Sequence, residues 1–278
     1  MKRNFNLIFL VLIGIFISNN VMAQRGKITE YASPLDPSAK PTPIYVGPAA
    51  GVNIMGHNMT VKNLNLVDEP MCPDFTNAEG LGFYAGLTFE YLIGDVATSN
   101  SSIIVRALYN TYPGSVTKEG DTYPIATSTG EIVNSTVEHD LTIECAAVTL
   151  EVMYKFNPIP GFGFGLVAGP TFDYILSKDM EERFMLVAPN NAQFEPKEGY
   201  EYRDNNRTII IPTHQIDNAS AIRIGLKVGV QYEILLGSKF YIVPSAHYNL
   251  GITNFVSDFD WRINPLQVGL DARYAFAL

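Results

Sequence analysis

Three side chains near the C-terminus are of the types a hydrolase uses. Ser245, His247 and Asp271 could supply a nucleophile, a general base and an orienting acid. Their spacing argues against direct assembly. Residues two apart on a strand point the same way but stand about 7 Å from each other, beyond the reach of a Ser–His hydrogen bond. His247 therefore reads as part of a polar interior, and no catalytic residue is assigned. Nothing in the chain matches a phosphate loop, a dinucleotide fingerprint or metal-ligand spacing, so no cofactor and no metal is expected.

A second set of residues points to different chemistry. Glu90, Glu151, Asp173, Glu233 and Asp271 share the polar sides of successive segments with Arg106, Lys155, Arg223, Lys227 and Arg273. Five acids against five bases is what a buried, self-neutralising interior requires, because an unpaired buried charge costs several kcal/mol. A solvated face has no need to balance. The expectation is a charge-paired plug built from these ten side chains.

The elements that must position them show period-two alternation. Val268, Leu270, Ala272, Tyr274, Phe276 and Leu278 form one apolar face, and Gln267, Gly269, Asp271, Arg273, Ala275 and Ala277 form the other. That describes a strand with a different solvent on each side, here with nothing following to cover its apolar face. Seven further segments carry the same split: 44–54, 81–91, 102–112, one ending at 156, 162–173, 222–234 and 240–253. Segment 222–234 is the clearest, with Ile222, Ile224, Leu226, Val228, Val230, Tyr232 and Ile234 opposing Arg223, Gly225, Lys227, Gly229, Gln231 and Glu233. Segment 102–112 is weaker in phase, since Ile104 and Leu108 fall on its polar side.

Connections after the second, fourth and sixth segments are short, and the others are longer polar loops at about 55–79, 113–136, 177–218 and 254–262. Short turns alternating with long loops and an even strand count predict an all-β fold. The specific expectation is an eight-stranded antiparallel up-and-down transmembrane barrel, its long loops outside and both termini in the periplasm.

Alternation alone does not say which face is inside, and a soluble eight-stranded barrel with an apolar cavity is the rival. The charge balance decides for the membrane. So do Gly82, Gly86, Gly163, Gly165, Gly169, Gly225, Gly229, Gly251 and Gly269, which share the charged face. An eight-stranded barrel is just wide enough to be filled by side chains, so long charged residues need small neighbours. Tyr91, Tyr154, Phe156, Tyr232, Tyr248 and Tyr274 fall near segment ends, where aromatic girdles sit.

Upstream, residues 1–23 read as a signal peptide, with Lys2 and Arg3, an apolar run from Phe5 to Ile17, and cleavage between Ala23 and Gln24. Residues 24–43 form a Pro-rich periplasmic lead-in, and the barrel occupies 44–278. Loss of Lys2 and Arg3 with the leader takes the formal charge from −9 to −11, which argues against nucleic acid. Cys72 and Cys145 would enter an oxidising compartment, where they either pair or remain free thiols. The localisation implied is the bacterial outer membrane, with lipid as the partner. The acidic loop 177–218 is a candidate for binding cations or another protein.

The leader, the eight amphipathic segments, the aromatic terminal segment and the stretch Cys72-Pro73-Asp74-Phe75 leading into Gly80-Leu81-Gly82-Phe83 carry a resemblance. The chain resembles the outer-membrane β-barrel domain families of Bacteroidetes/Chlorobi type, which include PorT-like proteins and the transmembrane domain of OmpA-like proteins. The resemblance implies a membrane barrel inserted by the barrel-assembly machinery. Its PorT-like side implies a component of a secretion machinery. Two features depart from the pattern: the chain ends in Leu278 rather than Phe, and no peptidoglycan-binding domain follows. The function expected is that of a non-enzymatic barrel, structural or surface-binding. A lipid-modifying enzyme or a secretion component is the alternative.

Overall fold

The computed structural model describes residues 43–277 apart from 62–74, 95–98, 127–129, 160–161, 197, 237–238 and 258. The expected signal peptide, almost all of the lead-in, and Cys72 with any disulfide it makes lie outside the described residues. Among those described, thirteen strands form one antiparallel sheet.

Eight of the strands close a ring. They are β1 (Pro43–Val61), β2 (Phe75–Ile93), β3 (Ser101–Thr111), β5 (Ile132–Phe156), β6 (Phe164–Ala188), β9 (Ile222–Tyr232), β11 (Phe240–Gly251) and β13 (Leu266–Ala277). Each pairs with the next, and β13 pairs back onto β1. The register sets the tilt. Following partners from Ile44 through Tyr91, Ile103, Tyr154, Ala168, Val228, Tyr248 and Leu266 returns to β1 at Ile54, ten residues further along. Such a stagger tilts the strands by roughly 35–45° in a small barrel.

On β9 the alternation is complete: Ile222 is 60% exposed and Leu226 45%, while Arg223 and Lys227 are 0%. The apolar face points outward and the charged face inward. Eleven-residue segments such as Ile44–Ile54 and Ile222–Tyr232 carry this outward belt. At about 3.3 Å per residue and a tilt near 45° they span the ~25 Å of a membrane barrel's apolar band. Tyr91, Tyr154, Phe156 and Tyr274 lie exposed toward the short-turn end, and Tyr248 lies nearer the other. The barrel spans a bilayer, and its short turns and long outer connections are the layout of the outer-membrane type.

The long connections are not the polar loops that alternation suggested. β1 and β2 run on as a hairpin beyond the belt, and β5 and β6 are 25 residues each. β4 (Gly114–Ala126) pairs with β5, β8 (Thr208–Gln215) pairs with β6, and β7 (Glu201–Arg203) pairs with β8. β12 (Asp260–Ile263) pairs with the top of β1, and β10 (Ile234–Leu236) pairs with β11 at the other end.

The physical reason for the difference is an inversion of phase. Within the belt on β1, Val52 and Ile54 face out and Asn53 faces in. Beyond it Met55, His57 and Met59 are buried while Asn58 and Thr60 are exposed. Lipid requires apolar residues outside; water above the membrane requires them inside. On β6 a bulge at Leu176, between the pairs Ala147–Ile175 and Ala146–Ser177, reaches the same outcome by turning the backbone: odd positions such as Asp173 face inward below it and even ones such as Met180 and Phe184 above it.

Inside the barrel the apolar side chains gather at both ends. Met55, Met59, Phe75, Tyr112, Leu141, Ile143, Met180, Phe255 and Trp261 belong to a cluster over the outer mouth. Tyr45, Leu92, Tyr241, Val243 and Ala275 form a second at the short-turn end. A third, with Val137, Phe184, Leu186, Phe194 and Ile211, lies further out in the sheet beyond the membrane. Ile104 and Leu108, the residues that blurred the phase of β3, pack inside against Met153 and Val167, and against Ala49 and Tyr84.

Candidate functional site

All ten charged residues singled out in the sequence point into the barrel, and none is more than 7% exposed. They form tiers. Nearest the outer mouth, Arg223 Nε donates to Asp173 at 2.5 Å, Nη1 donates to the Ile263 carbonyl at 2.5 Å, and the guanidinium lies 5.1 Å from the Tyr112 ring centre. Thr149 donates to the same carboxylate at 2.6 Å.

In the middle tier Glu151 is shared by the Lys227 ammonium and by Arg106, whose Nη1 lies 3.5 Å from Oε2. Arg106 Nη2 reaches Asp271 at 3.3 Å, which also accepts from Thr88 at 3.1 Å. Lys227 donates to Gln267 as well, and the Gln267 amide donates to Asn53 at 2.9 Å and Asn110 at 2.8 Å. Asn110 then donates to Thr149 at 2.7 Å, joining this tier to the one above.

In the lowest tier Arg273 spans Asp271 at 2.6 Å and Glu90 at 2.5 Å. Lys155 bridges Glu90 and Glu233, and Ser102 donates to Glu90 at 2.5 Å. The result is one continuous network along the barrel axis.

Small residues make room for it. Tyr84 lies across Gly51 and Gly269, and a Cβ added at Gly269 would sit 2.2 Å from the Tyr84 hydroxyl oxygen. Glycine is required at that position by the close approach of the ring.

The three hydrolase-type residues are not brought together. Asp271 is held by Thr88, Arg106 and Arg273, while Ser245 Oγ and both His247 ring nitrogens have no hydrogen-bond partner. Among the described residues no group of three or more His, Cys, Asp or Glu side chains is arranged to hold a metal ion.

Several organising residues gave no signal in the sequence, because their partners are far away in the chain. Trp261, expected in a loop, lies on β12 and donates from Nε1 to His57 Nδ1 at 3.2 Å, and His57 Nε2 faces the Pro113 carbonyl at 3.3 Å. The ring must therefore be neutral, with its proton on Nε2. Arg207 clamps three backbone carbonyls, those of Leu186, Pro189 and Ala192, at 2.7–2.9 Å. Its turn carries Asp204, Asn205 and Asn206 in the left-handed region, where Asn and Asp are tolerated best after glycine. Cys145 is buried in the outer cap, and desolvation pushes its thiol up to about 12, so it is unreactive.

His57 gives the cap an acid limit. Burial lowers its pKa from 6.5 to about 4. The unfolded cap therefore takes up a proton first, and stability falls as pH drops from 6.5 toward 4, by about 3 kcal/mol in all. Fluorescence of Trp261, the single tryptophan, reports it. Acidification from pH 7 to 4 should shift the wild-type signal toward that of exposed indole, and His57→Phe should remove the shift. An identical acid profile in both proteins would rule out His57 as the group responsible.

No family model and no curated protein matches the chain. It is similar to several solved structures at low identity. Neisserial surface protein A shares 15% identity with a TM-score of 0.34, over 83% of this chain and 96% of that one. The outer membrane protein W of E. coli shares 13% with a TM-score of 0.32, over 85% and 99%. Ail, the attachment invasion locus protein of Yersinia pestis, shares 10% with a TM-score of 0.31, over 83% and 98%. These are loose likenesses, and they assign no ligand, partner or reaction.

Proposed function

We propose that the chain is a non-enzymatic outer-membrane protein whose barrel is a mount, and that its work is done by the sheet it carries beyond the membrane. The observation that carries this reading is the length of β5 and β6. Each devotes about half of its 25 residues to a surface outside the belt, while the barrel lumen is filled by paired charges. The solvent face of that sheet is acidic, with Glu138, Asp140 and Glu144 on β5 beside Asp179 and Glu181 on β6. Desolvation together with Asp140 and Glu119 raises the Glu138 carboxyl. A groove of about 240 Å³ runs over Ser115, Thr117, Asp140, Thr142, Glu181 and Arg183. A protein partner or a cation is the class of ligand that suits it.

The topology is tested by labelling intact cells with a membrane-impermeant maleimide after Cys72→Ser and Cys145→Ser. Thr142→Cys on the outer sheet is expected to label in whole cells. Ile159→Cys in a short turn should label only after permeabilisation. The reverse pattern would invert the barrel and sink the reading. A lipid-modifying role would require ester hydrolysis by the purified wild type that is lost in His247→Gln. A PorT-like role in secretion would require a partner that co-purifies through the outer sheet.

A further inference from the structure

Beyond the belt, the inward face of β6 is apolar except where it is interrupted. Lys178 is half-buried and donates to the Ala219 carbonyl at 2.7 Å. Met180, Phe184 and Leu186 are buried in apolar clusters. Between them stands Glu182, 2% exposed, with no hydrogen-bond partner at Oε1 and no ion pair among the described residues. Its neighbour across the ladder on β5 is Leu141, and on β8 it is Ile211.

Met180 and Leu141 belong to the cluster over the barrel mouth, and Phe184 and Ile211 to the outer cluster. Glu182 therefore occupies the seam between two cores that a leucine would fuse into one. The β6–β8 ladder also shifts register there, between Met180 and Glu182. A carboxyl kept at such a place works against local stability, and breaches of this kind concentrate where a protein has a function to serve.

We propose that Glu182 is a proton-controlled joint in the outer sheet. With the carboxyl protonated, the two cores pack as one and the sheet stands as a rigid continuation of the barrel. With it ionised, the seam loosens and the tip, from residue 132 on β5 to residue 188 on β6, opens. This rests on the reading that the sheet stands in water outside the membrane.

The ionisable groups facing the seam come from every neighbouring strand. His139 on β5 sits edge-on to Phe184 at 4.8 Å, Lys118 on β4 lies across from His139, and His214 on β8 points Nδ1 at the Pro212 carbonyl at 3.0 Å. Lys178 completes the set on β6 itself. Burial, with no charged partner, raises the Glu182 carboxyl from 4.5 to about 7. The closed seam thus holds its proton where the open one releases it, so closure is favoured at low pH and lost as pH rises. Between pH 6 and 8 the opening constant should grow about tenfold.

Hydrogen exchange of the full-length protein in lipid nanodiscs at pH 6 and pH 8, with rates normalised for intrinsic base catalysis, tests this. Wild type should open about tenfold more at pH 8 in peptides from 132–143, 180–188 and 208–211, with no change in the belt strands. Glu182→Gln should lose the pH dependence, and Glu182→Leu should stay protected at both values. Equal wild-type opening at the two pH values would overturn the proposal. So would a step that survives in Glu182→Gln or disappears in His139→Gln. Should Glu182→Gln fail to fold, the wild-type comparison and Glu182→Leu still decide. A wrong orientation of the whole barrel is detected separately, by the maleimide labelling.

Discussion

Glu151→Ala is expected to destabilise the barrel by about 3–5 kcal/mol, the range for leaving a buried charge without its partner. Glu151 is 0% exposed and holds Lys227 and Arg106 together, so its loss strands one cation wholly and the other in part. The measurement is the temperature at which the folded, fast-migrating band on an unboiled detergent gel converts to the unfolded one, alongside a urea midpoint in micelles. Lys227→Met alone should cost less, because Arg106 remains to neutralise Glu151. Combining Glu151→Leu with Lys227→Met should recover much of the loss, since replacing a buried pair with apolar groups is often neutral. Arg106 keeps Asp271 in that background. If Glu151→Ala moved the transition no further than Val152→Ala in the lipid belt, the interior network would be irrelevant to stability.

Leu226→Arg should be comparably damaging for the opposite reason. Leu226 lies mid-strand on β9, outward and 45% exposed, one residue from the fully buried Lys227. A cation at the bilayer midplane of a β-barrel costs about 2–4 kcal/mol, whereas Leu226→Ala gives up only part of the lipid contact. The readout is the folded fraction recovered in vesicles, with both variants measured against urea. Equal behaviour of the arginine and alanine variants would mean that this face does not meet hydrocarbon. The contrast between residues 226 and 227 is the contrast between the two solvents of the fold.

That contrast is why the barrel was legible in the sequence. Eight segments alternate because each divides lipid from a polar interior, and the ten charged positions followed from the same parity. Legibility ended where the solvents changed. A reading that keeps one phase along β1 loses the strand at Met55, because His57 and Met59 turn the apolar side inward once water replaces lipid outside. β4, β7, β8 and β12 read as loops on the same account, since each buries alternate residues against a core that only the folded chain supplies. The His57–Trp261 bond joins residues 204 apart, and Glu182 matters only because Leu141 and Ile211 flank it. No local pattern carries such facts. Ile104 and Leu108 were misleading in a smaller way, because the interior has apolar tiers as well as charged ones.

The exchange of faces between Ile54 and Met55 also governs how deeply the protein sits. A barrel whose apolar surface faded gradually could ride up or down in the membrane at little cost. Here the outward surface of β1 passes from Ile54 to Asn58 within four residues. Sinking inward would press Asn58 and Thr60 into hydrocarbon, and rising outward would bare Val52 and Ile54 to water. Both displacements are opposed, so the bilayer holds the barrel at one height. The outer sheet is thereby carried at a constant distance from the lipid headgroups, whatever it meets there.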